Sequence, residues 1–104
     1  MSELSTIKMN YREALRQAER LDQAADIMEK QGISRMEEVI ADIGGLWTGE
    51  NSELFRSRCG SLQESVAKTV KKTRQSAETI RRIARNTYEA EMRNYEIAKK
   101  RTYS

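Results

Sequence analysis

The sequence predicts an all-α fold: an antiparallel two-helix hairpin (helix-turn-helix) that pairs with a second hairpin into a four-helix bundle dimer. Charged residues make up 34% of the 104 residues, aromatic residues only 6%, and proline is absent, a composition dominated by good helix formers. Apolar residues recur at alternating steps of three and four in both halves, and glycines cluster near the middle. Because autonomous domains commonly have about 100–150 residues, we expect residues 1–104 to form a single domain.

The first helix is predicted over about residues 5–43, because its first half carries the regular apolar stripe of a coiled-coil-like seam. The alanines in this stripe are small, so a facing helix can approach closely there. The stripe consists of Leu4, Ile7, Tyr11, Ala14, Ala18, Leu21, Ala25 and Met28.

Beyond Met28 the stripe continues through Gly32 and Met36 with two consecutive steps of four, which is a stutter in the heptad pattern. We therefore expect a local change of winding near Gln31 and Gly32. In the alternative interpretation, Gly32 ends one helix and Ser34 begins another through a capping box. A glycine inside a helix costs only about 1 kcal/mol relative to alanine, so the continuous helix is favoured.

The turn is predicted at residues 44–49, where the sequence reads Gly-Gly-Leu-Trp-Thr-Gly. Paired glycines supply positive φ angles at low cost, and Thr48 is a candidate N-cap for the second helix. Trp47 is the only tryptophan, and we expect its ring to cover the open end of a thin core. Gly49 either leaves space for that ring or provides an unusual turn dihedral.

The second helix is predicted over about residues 50–98, with Glu50 and Glu53 in its first turn, where the helix dipole favours negative charge. Two registers of this helix are open from the residues. The shorter and overlapping one contains Val66, Val70, Ala77, Ile80 and Ala84. The longer seam contains Phe55, Cys59, Leu62, Val66, Thr69, Thr73, Ser76, Ile80, Ile83, Thr87, Ala90, Asn94 and Ile97.

The net charge of +3 conceals an asymmetry, because residues 1–50 carry a net −4 and residues 51–104 a net +7. Opposite charges favour pairing of the two helices, although each exposed ion pair contributes only about 0–1 kcal/mol. The basic runs of the second helix have two interpretations: a solvated face, or phosphate contacts with nucleic acid or an anionic membrane surface. They comprise Lys68, Lys71, Lys72, Arg74, Arg81, Arg82, Arg85, Lys99, Lys100 and Arg101.

Several function classes find no support in the sequence. Histidine is absent and Cys59 is the only cysteine, so we expect no metal site, no cofactor and no internal disulfide. Without a histidine base or a glycine-rich phosphate loop, we expect no catalytic residues and no enzymatic activity. No apolar run approaches the roughly 20 residues of a membrane span, and the N-terminal residues lack the pattern of a secretory signal, which by itself predicts a cytoplasmic protein.

The motif at the turn resembles a known family. Leu46-Trp47-Thr48-Gly49-Glu50, followed by Phe55, lies between two amphipathic helices near the middle of a chain of this length. This combination is similar to the WXG (Trp-x-Gly, about 100 residues) family, the ESAT-like proteins of bacterial type VII secretion, over essentially the whole chain. The tail, residues 87–98, also looks like that of Gram-positive members.

The resemblance implies a non-catalytic secretion substrate or adaptor that leaves the cytoplasm for the cell surface or medium without a cleaved signal peptide. It also implies a partner, either a second copy or a helical WXG- or LXG-type protein. The family's Tyr-x-x-x-Asp/Glu export signal is absent here, since Met92 follows Tyr88 and Lys99 follows Tyr95 by four residues. Contact with the secretion ATPase, directly or through a partner, is therefore left open.

From this interpretation, Trp47 and Gly49 are the residues assigned to the turn and its cleft. The candidate interface positions are Ala14, Ala18, Leu21, Val66 and Ile80. Two alternatives remain: a cytoplasmic basic coiled coil that binds nucleic acid or anionic membranes, and a purely structural coiled coil in which the Trp-x-Gly turn is incidental.

Overall fold

The structure is a computed structural model that describes residues 2–45 and 49–103. Its helices are α1 (Glu3–Ile27), a π-helical segment (Met28–Ser34), α2 (Arg35–Gly44) and α3 (Glu50–Tyr103). The described residues form no strand, which confirms the all-helical prediction. The first helical arm begins at Glu3 rather than near residue 5, and the second ends at Tyr103 rather than near residue 98.

The first helix begins with a side-chain cap. The Ser5 backbone N–H donates to the Ser2 hydroxyl oxygen at 3.1 Å, and the Thr6 N–H donates to the Ser2 carbonyl at 3.1 Å. The serine oxygen thus satisfies one of the backbone donors that a helix leaves free at its N-terminus. This fixes the start of α1 close to the first residues of the chain.

The first arm changes its winding where the seam predicts it. The π-helical segment Met28–Ser34 contains the stutter at Gln31 and Gly32, so the predicted local change is confirmed. The alternative of a helix break with a capping box is wrong, because Ser34 has helical dihedrals (φ −65°, ψ −42°) and no side-chain cap bond. Continuing through Gly32 costs about 1 kcal/mol, whereas a break would leave several backbone groups unsatisfied.

Among the described residues of the turn, one glycine has a positive φ angle. The expectation that the glycine pair supplies it is wrong, since Gly44 lies in α2 and Gly45 has φ −79°. Gly49 has φ +86°, and its carbonyl accepts the Glu53 N–H at 3.2 Å as α3 begins. The predicted Thr48 cap and the predicted position of the Trp47 ring lie outside the described residues, as does Leu46.

The chain divides into two compact units. Unit 1 is Met1–Leu21 with Gln75–Ser104, and unit 2 is Asp22–Arg74. Each unit therefore contains a part of the first arm and a part of α3. The single-domain organisation stays a prediction.

Within each unit the two helical segments run antiparallel. In unit 1, Tyr11 contacts Tyr88 while Glu19 lies near Arg81, so residue numbers rise on α1 as they fall on α3. In unit 2, Glu29 pairs with Arg74, whereas the Gly44 carbonyl accepts from Nη2 of Arg56 at 3.3 Å. The hairpin prediction is confirmed within each unit. The four-helix bundle dimer stays a prediction.

The buried core is small and rich in alanine. Ala18, Ala25 and Ala77 have no exposed surface, and the buried hydrophobic residues of α3, Val70, Ala77 and Ala84, are spaced seven residues apart. We call these α3 residues, Val70, Ala77 and Ala84, the inner seam. The inner seam belongs to the shorter of the two registers open from the sequence, because small residues let the helix backbones approach closely.

The longer seam of α3 contains large apolar side chains that are exposed to solvent. Leu62, Ile83 and Ile97 are 54%, 56% and 50% exposed, respectively. We call this seam the outer seam, defined by Leu62, Val66, Thr69, Thr73, Ser76, Ile80, Ile83, Thr87, Ala90, Asn94 and Ile97. Apolar side chains on α3 thus follow two stripes, of which the inner seam supplies the buried core residues.

Ion pairs join the acidic first arm to the basic second arm, as the charge asymmetry predicts. In unit 2, the Arg74 guanidinium donates to Asp26 at 2.9 Å and to Glu29 at 2.7 Å. These hydrogen bonds, first that to Asp26 and then that to Glu29, raise the pKa of Arg74 above its ordinary value. A raised arginine pKa contributes stability that is present at physiological pH and is lost as the pH rises through the arginine range, so this contact does not change with pH within the physiological range.

We expect Gly49→Ala to lower the free energy of unfolding by about 1–2 kcal/mol, because a side chain disfavours the φ angle of +86°. A Cβ at this position would meet nothing within 4 Å, so the effect isolates the backbone conformation. Urea denaturation followed by circular dichroism measures the change.

Gly60→Ala is the matched control for Gly49→Ala. Gly60 lies inside α3, and a Cβ there also meets nothing within 4 Å. We expect this substitution to stabilise the protein by about 0.5–1 kcal/mol. A Gly49→Ala variant that gained the same stability would contradict the role of the dihedral.

Arg74→Gln should lower the melting temperature at low salt, because the two carboxylates of Asp26 and Glu29 then lose their shared partner. The difference from wild type should shrink at about 1 M salt, where the Debye length is only about 3 Å. Arg16→Gln is the control, since in the described part of the chain Arg16 pairs with Glu13 on its own helix at 2.8 Å. Equal effects of the two variants would refute the idea that Arg74 joins the arms.

Candidate protein-interaction surface

Unit 1 carries an apolar groove between α1 and α3, which we call the unit 1 groove. Its volume is about 260 Å³. Glu91 is the one charged residue among those that line it, on a chain of which a third is charged. The lining residues are Ile7, Asn10, Tyr11, Ala14, Ile80, Ile83, Ala84, Thr87, Tyr88 and Glu91.

A tyrosine pair forms one part of this groove. The ring centroids of Tyr11 and Tyr88 lie 4.6 Å apart with an interplanar angle of 58°. Tilted aromatic pairs at this distance contribute about 0.5–1.5 kcal/mol beyond their buried area. Because both rings are half-buried, they hold α1 against α3 and still expose apolar surface in the groove.

Unit 2 carries a second apolar groove, which we call the unit 2 groove. It has a volume of about 500 Å³ and lies between the π-helical segment and α3. At its edge Ile27 is 62% exposed, the highest value among the exposed large hydrophobic side chains of the described residues. The lining residues, none of which is charged, are Ile27, Met28, Gln31, Gly32, Ser65, Val66 and Thr69.

Two threonines of the outer seam satisfy their hydroxyl groups on their own helix. The Thr69 hydroxyl donates to the Ser65 carbonyl at 3.1 Å, and the Thr73 hydroxyl donates to the Thr69 carbonyl at 2.8 Å. Such back-bonding removes the need for a polar partner outside the helix. Thr69 and Thr73 are therefore compatible with an apolar contact.

Three of the five candidate interface residues lie in the grooves. Ala14 and Ile80 line the unit 1 groove, and Val66 lines the unit 2 groove. Leu21 is half-buried and lines neither groove. Ala18 has no exposed surface within a single chain, so it belongs to the core, and the contact proposed below does not use it.

Two residues, Trp47 and Gly49, are assigned to the turn. Gly49 lies immediately before α3 and is exposed. Trp47 lies outside the described residues, and its assignment to a cleft stays a prediction. The residues that line the two grooves belong to the helical arms.

Sequence reasoning missed other groove residues. Ile83 and Thr87 belong to the outer seam but were not chosen as interface positions, although their heptad spacing was visible. Tyr88 lies four residues after Ala84 of the inner seam, so continuing the shorter register would have found it. No signal in the residue types identifies Ile27, because its exposure beside a groove depends on the π-helical segment.

Some basic residues of α3 form ion pairs with acidic side chains, and others are exposed without one in the described part of the chain. Arg74 and Arg81 lie in ion pairs within their units. Lys68, Lys71 and Lys72 are exposed and form no ion pair within the described part of the chain. Glu64 and Glu78 lie on the same helix, so the exposed charge is mixed rather than of one sign.

The described residues contain no group of three or more cysteine, aspartate or glutamate side chains placed to hold a metal ion. None of the helices described has an 18-residue stretch apolar enough to cross a lipid bilayer. Cys59 is a free thiol, half-buried on α3.

Comparisons with protein-family models, with curated proteins and with solved structures find no match to this chain. The two grooves and the sequence motif at the turn are therefore the basis on which a function can be assigned.

Proposed function

We propose that this protein is a small non-catalytic type VII (ESX-like) secretion substrate or adaptor. It acts by pairing a helix face with a second helical chain, either another copy of itself or a partner such as an LXG-type toxin. The Trp47-Thr48-Gly49 motif between two amphipathic helices supports the family, and the grooves of the two units support the mode of action.

The observation that carries the proposal is the low charge of both grooves. One of the ten residues lining the unit 1 groove is charged, and none of the seven lining the unit 2 groove is. This charged fraction is lower than the 34% of the whole chain. Burying charge is costly whereas burying apolar surface is favourable, so such a surface is suited to contact with another protein.

The small size of the core supports the same conclusion. A buried alanine methyl contributes only about 0.8 kcal/mol by the usual area relation, far less than a buried leucine or phenylalanine side chain. Ala18, Ala25 and Ala77 provide the fully buried positions, while larger residues such as Leu62 and Ile83 stay outside. Association of two hairpins would cover those larger residues and add the core that one chain lacks.

In this role the protein is cytoplasmic before export and then secreted or placed on the cell surface. Trp47 and Gly49 form the element that the secretion apparatus recognises, directly or on a paired chain. Neither a cofactor nor a metal ion takes part in this function. The partner contact and the export signal are thus assigned to different regions of the same hairpin.

We expect Ile83→Glu to weaken pairing by at least about tenfold, because a charge would be transferred into the contact at the unit 1 groove. Since Ile83 is 56% exposed in one chain, the helical content and melting of the hairpin should change little. Light scattering and sedimentation of the full chain measure self-association. Titration calorimetry measures binding to the helical region of an LXG-type toxin.

Met9→Glu is the matched control for Ile83→Glu. Met9 lies in the same unit, is 47% exposed and does not line the unit 1 groove. It should pair as wild type does. Wild-type pairing by Ile83→Glu, with itself and with the toxin region, would refute the assignment of the groove.

Trp47→Arg should abolish export but leave pairing intact, because it removes the apolar ring of the turn and not the groove residues. Trp47→Phe, which keeps an aromatic ring, should retain export. The measurement is the ratio of extracellular to cellular protein in cells with and without the secretion ATPase. Undiminished export of Trp47→Arg would remove the turn from the proposed function.

A further inference from the structure

Glu91 is the charged exception in the lining of the unit 1 groove. It is half-buried, and it forms no ion pair in the described part of the chain. A protein that covered this groove would remove water from the carboxylate. Burying an unpaired charge is costly, so a covering partner is favoured when it brings a compensating group to Glu91.

Glu91 also lines a second cleft, which we call the terminal cleft. This cleft has a volume of about 560 Å³, and its lining residues are Glu3, Thr6, Ile7, Glu91 and Asn94. Because Ile7 and Glu91 line both features, the unit 1 groove and the terminal cleft form one surface at the end of unit 1 where α1 begins. This surface is apolar along the groove and acidic at its end.

The order of apolar and acidic groups on this surface matches that of a long basic side chain. Lysine and arginine have an apolar stem and a charged end. Tyr11 and Tyr88 line the groove, and Tyr88 precedes Glu91 by about one helical turn. Aromatic rings pack against apolar groups and also attract cations. A neutral donor would leave the charge of Glu91 and Glu3 uncompensated, whereas a lysine or arginine offsets it.

The charge of this surface also bears on the choice between a second copy and a different protein. A two-fold symmetric contact brings the same patch of both copies together. The residues that line the unit 1 groove and the terminal cleft include two carboxylates, Glu3 and Glu91, and no lysine or arginine. A second copy that met this surface with its own would therefore bring like charges and no cation.

We infer that the unit 1 groove is a docking site for an amphipathic helix of a different protein, which presents a lysine or arginine beside its apolar side chains. Glu91 is the residue that selects this cation, and Glu3 adds to the negative charge at the same end. This inference rests on the proposed function, in which a helix face pairs with a second chain. It adds the charge that the partner carries and the residue that recognises it.

A displayed library of amphipathic helical peptides tests this partner chemistry. The peptides share a leucine stripe, the positions beside the stripe are randomised, and selection is carried out on the full chain. We expect selected peptides to be enriched in lysine or arginine at one position and to lose binding to Ile83→Glu. Because the chain has a net charge of +3, nonspecific attraction would enrich acidic peptides instead. Selection on Glu91→Lys should enrich aspartate or glutamate at that position.

Glu91→Gln removes the charge and keeps the shape of the side chain. Replacing the selected lysine of a peptide with glutamine should weaken binding to wild type by at least about fivefold, and to Glu91→Gln by less than about twofold. Titration calorimetry measures both affinities. Glu89→Gln is the matched control, because Glu89 is exposed on the same helix and lines neither the groove nor the terminal cleft. It should keep the fivefold preference of wild type.

The outcomes separate this inference from the proposed function. If the peptides need Ile83 but their lysine preference persists in Glu91→Gln, the cation site is wrong and pairing through the groove stands. If the chain associates with itself through Ile83 and Glu91→Gln does not strengthen that association, a second copy is the occupant and this inference is overturned. If no selected peptide depends on Ile83, this inference is also overturned, and pairing with the toxin region decides the proposed function separately.

Discussion

The close approach of helices through alanine is the constraint on which the rest of the structure depends. In unit 1, Ala18 and Ala77 have no exposed surface, and in unit 2 the same holds for Ala25. Where the helices meet through these alanines the space between them is narrow, although Ile7 of α1 and Val70 of α3 are also buried. The larger apolar residues of α3 consequently lie outside the contact between the arms, where a second protein can reach them.

In the proposed function, this arrangement assigns folding and binding to different residues. The inner seam, with the ion pairs of Arg74 and Arg81 and the ring pair of Tyr11 and Tyr88, joins the two arms. The outer seam remains uncharged, and the hydroxyls of Thr69 and Thr73 on it are bonded to the helix backbone. A partner that covers the outer seam therefore does not have to break the contacts that hold the hairpin.

The π-helical segment connects an irregularity in the heptad spacing to the lining of the unit 2 groove. Two steps of four around Gly32 break the heptad spacing, and the chain responds by widening the helix rather than ending it. A capping box at Ser34 would have been a reasonable alternative by local sequence alone. The continuous helix places the backbone at Gly32 close to α3, where a Cβ on Gly32 would lie 3.2 Å from Cγ1 of Val66.

The sequence by itself determined the helical fold, the antiparallel arms, the charge asymmetry that becomes ion pairs, and the position of the change in winding. Each of these follows from the local spacing of apolar residues or from the composition. Both can be read from the sequence. Only the tertiary structure decided which stripe of α3 is buried. Both registers are apolar, and the choice depends on which side chains are small enough to let α1 approach, a property of the two helices together. For the same reason the sequence could name Ala14, Val66 and Ile80 as interface candidates but could not separate them from Ala18, which lies within the core.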